Sequence, residues 1–161
     1  MKKISIIIPF FNEEEGVQQF FAELNAELSR LKEYSFELVL VDDGSDDQTL
    51  RSLKDLKIPD DINAKIIELS RNFGKEAALT AGINNSSADA VIFMDSDLEH
   101  PPKVIQLMLE KWEEGYDVVL GKRMSRKNET ILKRIGFKVF YWIYNKLSQF
   151  NHYPGVGEFR L

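Results

Sequence analysis

Hydrophobic positions along this chain switch repeatedly between two periods. Ile4-Ser5-Ile6-Ile7-Ile8 is a short β-branched run closed by Pro9, the pattern of a buried strand. Over 14–31, Val17, Phe20, Phe21, Leu24, Leu28 and Leu31 recur at helical spacing. Asn12, followed by Glu13, Glu14 and Glu15, is a candidate cap with acids in the first turn. A second buried strand spans 36–41 and runs into Asp42-Asp43-Gly44-Ser45; a short helix over 47–56 and a third strand over 65–69 follow. An Ala-rich helix is expected over 75–84 and a fourth strand over 90–94, ending in Asp95-Ser96-Asp97. Pro101 and Pro102 open a helix to about 114, with Val104, Ile105, Leu107, Met108, Leu109 and Trp112 as core candidates, and 117–121 reads as a fifth strand.

Strands alternating with helices predict an α/β fold, a doubly wound, mostly parallel sheet with helices on both faces. Ligands of such sheets sit at the carboxyl ends of the strands. Three polar or acidic clusters fall there, at 9–13, 42–46 and 95–97. At 161 residues one domain is expected, with a core over 1–121 and a helical segment of the same domain over 122–161.

Composition narrows the chemistry. There is no cysteine, so disulfides, thiolate catalysis and thiolate metal sites are excluded together, and His100 and His152 are the two imidazoles. Strand-like residues begin almost at Met1, which leaves no room for a signal peptide, and no run of about 18 apolar residues is present to span a bilayer. The net charge of −5 hides an asymmetry. Residues 122–161 carry nine Lys and Arg against Glu129 and Glu158, leaving 12 basic and 24 acidic residues for the rest. An acidic body with a basic, aromatic tail is not the layout of a nucleic-acid binder; it suits an anionic surface or anionic substrates.

Each motif has two readings at this level. Asp95 and Asp97 lie two apart, so an extended chain would turn both carboxylates to one side, where a hard ion such as Mg²⁺ or Mn²⁺ would suit them. The other reading is a turn in which one Asp caps the Pro101 helix. Within 42–47, Gly44 can supply a positive φ and Ser45 or Asp46 can cap the next helix, while Asp42, at the strand end, is free to meet a base or ribose. Arg71-Asn72-Phe73-Gly74-Lys75 is either a solvated loop or a phosphate contact through its cationic groups, Lys75 among them. The glycine fingerprints of nicotinamide-dinucleotide folds and P-loop NTPases are absent, as is the G-x-S-x-G of α/β-hydrolases.

In order, Ile7-Ile8-Pro9-Phe10-Phe11-Asn12-Glu13-Glu14, Val41-Asp42-Asp43-Gly44-Ser45, Arg71-Asn72-Phe73-Gly74-Lys75-Glu76-Ala77-Ala78 and Met94-Asp95-Ser96-Asp97-Leu98-Glu99-His100-Pro101-Pro102 resemble the motifs of family-2 glycosyltransferases. The branch resembled is that of dolichyl-phosphate mannose synthases and bactoprenol glucosyltransferases, and Gly157-Glu158-Phe159-Arg160-Leu161 is similar to its motif near the end of the catalytic domain. The resemblance implies a GT-A fold, a Rossmann-like nucleotide-binding core, and metal-dependent, inverting transfer from a UDP- or GDP-sugar to a polyprenyl (dolichyl or undecaprenyl) phosphate. It implies that Pro9, Phe11, Glu13, Leu40 and Asp42 line the nucleotide pocket. Asp95, Ser96 and Asp97 match its D-A-D motif, Asp95 and Asp97 holding Mg²⁺ or Mn²⁺, with Glu99 beside metal and donor. Arg123 and Arg160 match phosphate-binding basic residues. Glu158 stands where relatives often carry Asp, which puts its role as general base in doubt.

That doubt bears on the acceptor. A phosphate monoester has a second pKa of about 6, so it is largely dianionic at neutral pH and needs little deprotonation. A sugar hydroxyl needs a base, for which Glu158 or Asp97 are the candidates. The weak base candidate favours a phosphate acceptor. The rivals are a soluble family-2 transferase acting on a polysaccharide or lipid hydroxyl, a nucleotide-binding module without turnover, and a nucleotidyltransferase. Over 131–147, Ile131, Leu132, Ile135, Val139, Phe140, Ile143 and Leu147 recur at helical spacing among aromatics and Lys133, Arg134, Lys138 and Lys146. This is either an interfacial helix or one packed on the domain with snorkelling lysines. The expected location is the cytoplasmic face of a membrane. Relatives of the resembled branch usually carry transmembrane helices after the catalytic domain, so anchoring here is expected from sequence beyond this chain or from a partner, a homo-oligomer included.

Overall fold

The computed structural model describes residues 1–98, 101–122 and 156–161. Six strands form one sheet in the order β3-β2-β1-β4-β6-β5. They are β1 (Lys2–Phe10), β2 (Tyr34–Asp42), β3 (Asn63–Glu68), β4 (Ala90–Phe93), β5 (Leu120–Lys122) and β6 (Val156–Arg160). The helices are α1 (Val17–Leu28), α2 (Thr49–Lys54), α3 (Lys75–Asn84) and α4 (Val104–Glu113). β1 pairs in parallel with β2 and β4, and β2 with β3. The expected α/β, mostly parallel architecture is the one observed.

Strand alternation sorts the core into two layers. Ile4, Ile6, Ile8 and Phe10 of β1, with Leu38 and Leu40 of β2, share a cluster with Val17, Phe20 and Leu24 of α1 and Ile105, Met108 and Leu109 of α4. Phe10 meets Phe20 edge-on, with ring centroids 6.0 Å apart. On the other face Ile7, Val39 and Val41 pack with Ala78 and Leu79 of α3. That helix lies very close to the sheet, since a Cβ on Gly82 would fall 2.3 Å from Ile7 Cγ2.

Several boundaries depart from the pattern-based expectation. β1 does not close before Pro9 but runs through it to Phe10, whose carbonyl accepts from Asp43 N–H at 2.8 Å. Ile7 makes its bond toward β4, accepting from Met94 N–H, so Pro9, two residues on, turns its N–H-less nitrogen to a side where β4 has already ended. Asn12 is not the cap of α1. That helix starts at Val17 after Gly16 with no side-chain cap, and Glu13 to Glu15 lie in the turn before it. Pro101 and Pro102 likewise precede α4, giving their carbonyls to Val104 and Ile105 N–H.

The far edge holds the largest difference. β5 begins at Leu120, beyond the turn at Gly115, and its neighbour is not β4. β6 lies between them, antiparallel to both, pairing Phe93 with Arg160 and Lys122 with Val156. β6 is therefore a strand of the core sheet, where the 122–161 segment was expected to be helical. Among the described residues no helix is long and apolar enough to cross a membrane. The 131–147 segment lies outside the described residues.

Candidate active site

The loops at the carboxyl ends of β1, β2 and β3 are tied together by hydrogen bonds. Asn12 N–H donates to Ser45 Oγ at 3.0 Å, and Asp46 N–H donates back to Asn12 Oδ1 at 2.9 Å. These bonds, with Asn12 at φ +54°, explain why its side chain is not at the helix start. Glu13 N–H donates to Thr49 Oγ1 at 2.8 Å, and Gln48 N–H to Glu14 Oε2 at 2.8 Å. Neither Ser45 nor Asp46 caps α2; Asp47 accepts from Thr49 N–H at 2.9 Å instead. Gly44 adopts the expected positive φ, +67°.

Asp42 and Asp43 diverge, because adjacent strand residues face opposite sides. Asp42 is 2% exposed, and its two oxygens are engaged by Ser45, through Oγ at 2.6 Å and N–H at 3.2 Å. Asp43 accepts from Phe73 N–H at 2.9 Å and Gly74 N–H at 3.0 Å, which fixes the start of α3 against the end of β2. Gly74, at φ +94°, precedes the helix, so Lys75 is its first residue.

A cleft of about 340 Å³ opens among these loops. Pro9, Phe11 and Glu13 come to it from the β1 side, Lys75 from α3, and Asp95, Ser96 and Asp97 from the end of β4. The structure thus brings together seven of the residues singled out in the sequence. Asp95 and Asp97 line the same cleft, but not by strand alternation, because Ser96 and Asp97 lie in a turn and Leu98 takes φ +57°. Leu40 does not reach the cleft; it is 1% exposed in the core on the opposite face. Asp42 lines a neighbouring depression of about 480 Å³ with Arg71, Asn72 and Ser45. Arg160 sits with its guanidinium 5.4 Å from the centre of the Phe93 ring. Glu99, Arg123 and the side chain of Glu158 lie outside the described residues.

Phe10, Asp43, Asn72 and Gly74 also line the cleft and were not singled out as ligand contacts. Continuing the alternation of β2 past Val41 would have found Asp43, since Val41 and Asp43 share the α3 face while Leu40 and Asp42 share the other.

Glu13, Asp43, Asp95 and Asp97 give the cleft an acidic lining, and Lys75 brings a positive charge to it. Lys75 Nζ lies 2.5 Å from Asp95 Oδ1. Burial, then the charge of Asp97, then that of Asp47 raise the Glu13 carboxyl above its ordinary range. Among the described residues, no three His, Cys, Asp or Glu side chains cluster so as to hold a metal ion by themselves. Asp95 and Asp97, in a cleft with no soft donors, fit a hard divalent ion that takes its remaining ligands from water and a substrate's phosphates. They do not fit a closed all-protein site.

The glycosyl transferase family 2 model matches residues 5–158 of the chain. An uncharacterized glycosyltransferase of Synechocystis is 43% identical over 159 residues, covering 99% of this chain and 49% of the relative. The bactoprenol glucosyl transferase of Shigella phage SfV is 42% identical over 159 residues, covering 99% of this chain and 51% of that protein. The chain thus spans about half the length of these curated relatives. Among solved structures, S. aureus TarS in complex with UDP-GlcNAc superposes with a TM-score of 0.62 at 25% identity, over 81% of this chain and 37% of the other. The mannosyltransferase PcManGT from Pyrobaculum calidifontis, in complex with GDP-Man and Mn²⁺, gives 0.64 at 21% identity over 78% and 36%, a likeness of fold. Sheet order, cleft and matched residues agree: the chain belongs to glycosyl transferase family 2 and has the GT-A fold.

Proposed function

We propose that this chain binds a nucleoside-diphosphate sugar in the cleft of Pro9, Phe11, Glu13, Lys75, Asp95 and Asp97, and transfers the sugar to a polyprenyl phosphate at a membrane surface. The observation that carries the reading is the meeting of Lys75, Asp95 and Asp97 in one cleft at the carboxyl ends of the parallel strands. The 42% identity to a bactoprenol glucosyl transferase supports the acceptor class.

Asp95 and Asp97 would hold Mg²⁺ or Mn²⁺, which supplies charge stabilisation to a departing diphosphate. Lys75 adds a second positive charge on the same side. Phe11, 40% exposed at the cleft, offers an apolar surface to the nucleoside or sugar. The adjoining depression would offer a base or ribose the polar groups of Arg71 and Ser45, with Asp42 behind Ser45 as its hydrogen-bond acceptor. In the reaction, an acceptor phosphate oxygen bonds to the anomeric carbon while the bond from that carbon to the diphosphate oxygen breaks. The nucleoside diphosphate leaves with the electron pair, and the configuration inverts. No proton has to move when the acceptor arrives as a dianion, so the account needs no general base from Glu158. Arg123 and Arg160 are the proposed phosphate partners on the acceptor side, and the basic, aromatic 131–147 segment is the proposed membrane contact, at a cytoplasmic face.

A thermal-shift panel of UDP- and GDP-sugars, with and without Mn²⁺, tests the donor site. One of the donors should raise Tm in a metal-dependent way in the parent protein, and Asp97→Asn should fold normally yet lose that shift. A folded Asp97→Asn protein with an undiminished Mn²⁺-dependent shift would remove Asp97 from the ligand set.

A further inference from the structure

The cation at Asp95 in this structure is the protein's own. Lys75 Nζ lies 2.5 Å from Asp95 Oδ1, with the two side chains 37% and 25% exposed. The pair is not a chance meeting of two mobile surface chains. Lys75 is the first residue of α3, and the two residues ahead of it are pinned by their N–H groups to the Asp43 carboxylate at 2.9 and 3.0 Å. Gly82 holds the same helix hard against Ile7 of the sheet. The ammonium is therefore delivered to Asp95 from a fixed backbone.

Two cations cannot share one carboxylate without mutual repulsion. A divalent ion entering the cleft alone has to displace Lys75 from Asp95. A diphosphate changes this, because its oxygens offer Lys75 a new anionic partner and leave Asp95 to the ion.

Resting on the donor reading above, we propose that Lys75 is a stand-in cation, holding Asp95 while the cleft is empty and passing to the diphosphate when the donor arrives. Divalent ion and nucleoside diphosphate then bind with positive coupling, and by linkage each raises the affinity of the other by the same factor. Without a nucleotide, the cleft takes up the ion less readily than it would if Asp95 were unpaired.

The test is Mn²⁺ binding without nucleotide, followed by electron paramagnetic resonance of the free ion, in the parent, Lys75→Gln and Lys75→Arg. Removing the charge should tighten Mn²⁺ binding roughly threefold to fivefold, the scale of a partly exposed ion pair. Lys75→Arg keeps the charge and should match the parent. Adding UDP or GDP should tighten Mn²⁺ binding to the parent beyond what the nucleotide binds in solution, and in Lys75→Gln that gain should be smaller by about the same threefold to fivefold factor. The proposal is overturned if Lys75→Gln binds free Mn²⁺ no more tightly than the parent, or if Lys75→Arg gains as much as Lys75→Gln. The nucleotide-free arm needs neither donor nor acceptor. If Lys75→Gln gains nothing while the parent still transfers sugar, the stand-in role falls and the transferase reading stands. If the parent binds no nucleotide-sugar, that reading falls, and the free-ion comparison still decides what Lys75 does at Asp95.

Discussion

Gly44 approaches Arg71 so closely that a Cβ on the glycine would lie 2.2 Å from the Arg71 carbonyl carbon. The turn after β2 and the loop before α3 are thus in backbone contact, and the walls of the cleft depend on the absence of one side chain. Gly115 is a useful comparison. Its φ of +99° is less hospitable to an L-residue than the +67° of Gly44, yet a Cβ there would meet nothing within 4 Å. Gly115→Ala should therefore cost only backbone strain, on the order of 1–3 kcal/mol. Gly44→Ala should cost more than Gly115→Ala despite the milder φ, because backbone and not a flexible side chain has to move. Thermal unfolding of the two variants checks the order, and a reversed order would mean that the loops separate easily.

Asp43 should matter to both stability and the donor. Asp43→Ala strands Phe73 and Gly74 N–H, and should lower stability by about 1–3 kcal/mol. It should also weaken donor binding, because the start of α3 carries Lys75 into the cleft. Asp43→Asn keeps one acceptor oxygen and should fall between parent and alanine variant in both measurements. Urea unfolding alongside donor titration separates the effects. An alanine variant as stable as the parent would show that the two bonds carry no weight.

At the other end of the sheet, Glu37 is fully buried and accepts from Ser5 Oγ at 2.5 Å and Ser87 N–H at 3.0 Å, with Lys65 Nζ at 3.0 Å and Lys3 Nζ at 3.2 Å. Burial alone would raise its pKa, but the bonds from Ser5, Ser87, Lys65 and Lys3 outweigh that and hold the carboxyl at about 2, against an ordinary 4.5. A depressed folded-state pKa contributes stability that is complete above the unfolded value and is lost as pH falls through the folded one. Glu37→Gln should be less stable than the parent at pH 7 by roughly 1–3 kcal/mol. The difference should shrink between pH 4.5 and about 2. A gap that stays constant across that window would mean that the carboxylate charge is not what the network uses.

The sequence carries a direct test of the membrane contact. Replacing Lys133, Arg134 and Lys138 with Gln removes three positive charges, each worth about 1 kcal/mol near an anionic surface. Co-sedimentation with anionic vesicles should fall in the triple variant, and in the parent on adding salt. Parent protein that stays in the supernatant at low salt would leave the 131–147 segment without a membrane role.

What was legible in the sequence follows from how local each signal is. α3 over 75–84 was readable from its alanine content, and β1 and β2 were readable as continuous apolar runs, which the sheet buries on both faces. The Asp95-Ser96-Asp97 cluster was readable because it follows a short apolar strand directly. β6 was not, because its pairing joins Arg160 to Phe93 and to Leu120 across the sheet, and five residues with two charges carry no strand period of their own. Asn12 looked like a helix cap on local grounds, and only the distant Ser45 and Asp46 reveal its use. Asp43 was passed over beside Asp42 because both sit at a strand end, and the choice between them depends on where β2 stops.

The central claim is transfer from a nucleoside-diphosphate sugar to a polyprenyl phosphate. Its most direct measurement is product analysis by mass spectrometry after the chain is incubated with undecaprenyl phosphate in detergent, Mn²⁺ and each UDP- and GDP-sugar in turn. The account predicts, for at least one donor, a lipid-linked sugar phosphate in equal amount to the nucleoside diphosphate released, and neither product with Asp97→Asn. Sugar transferred to hydroxyl acceptors with the lipid phosphate untouched would contradict it.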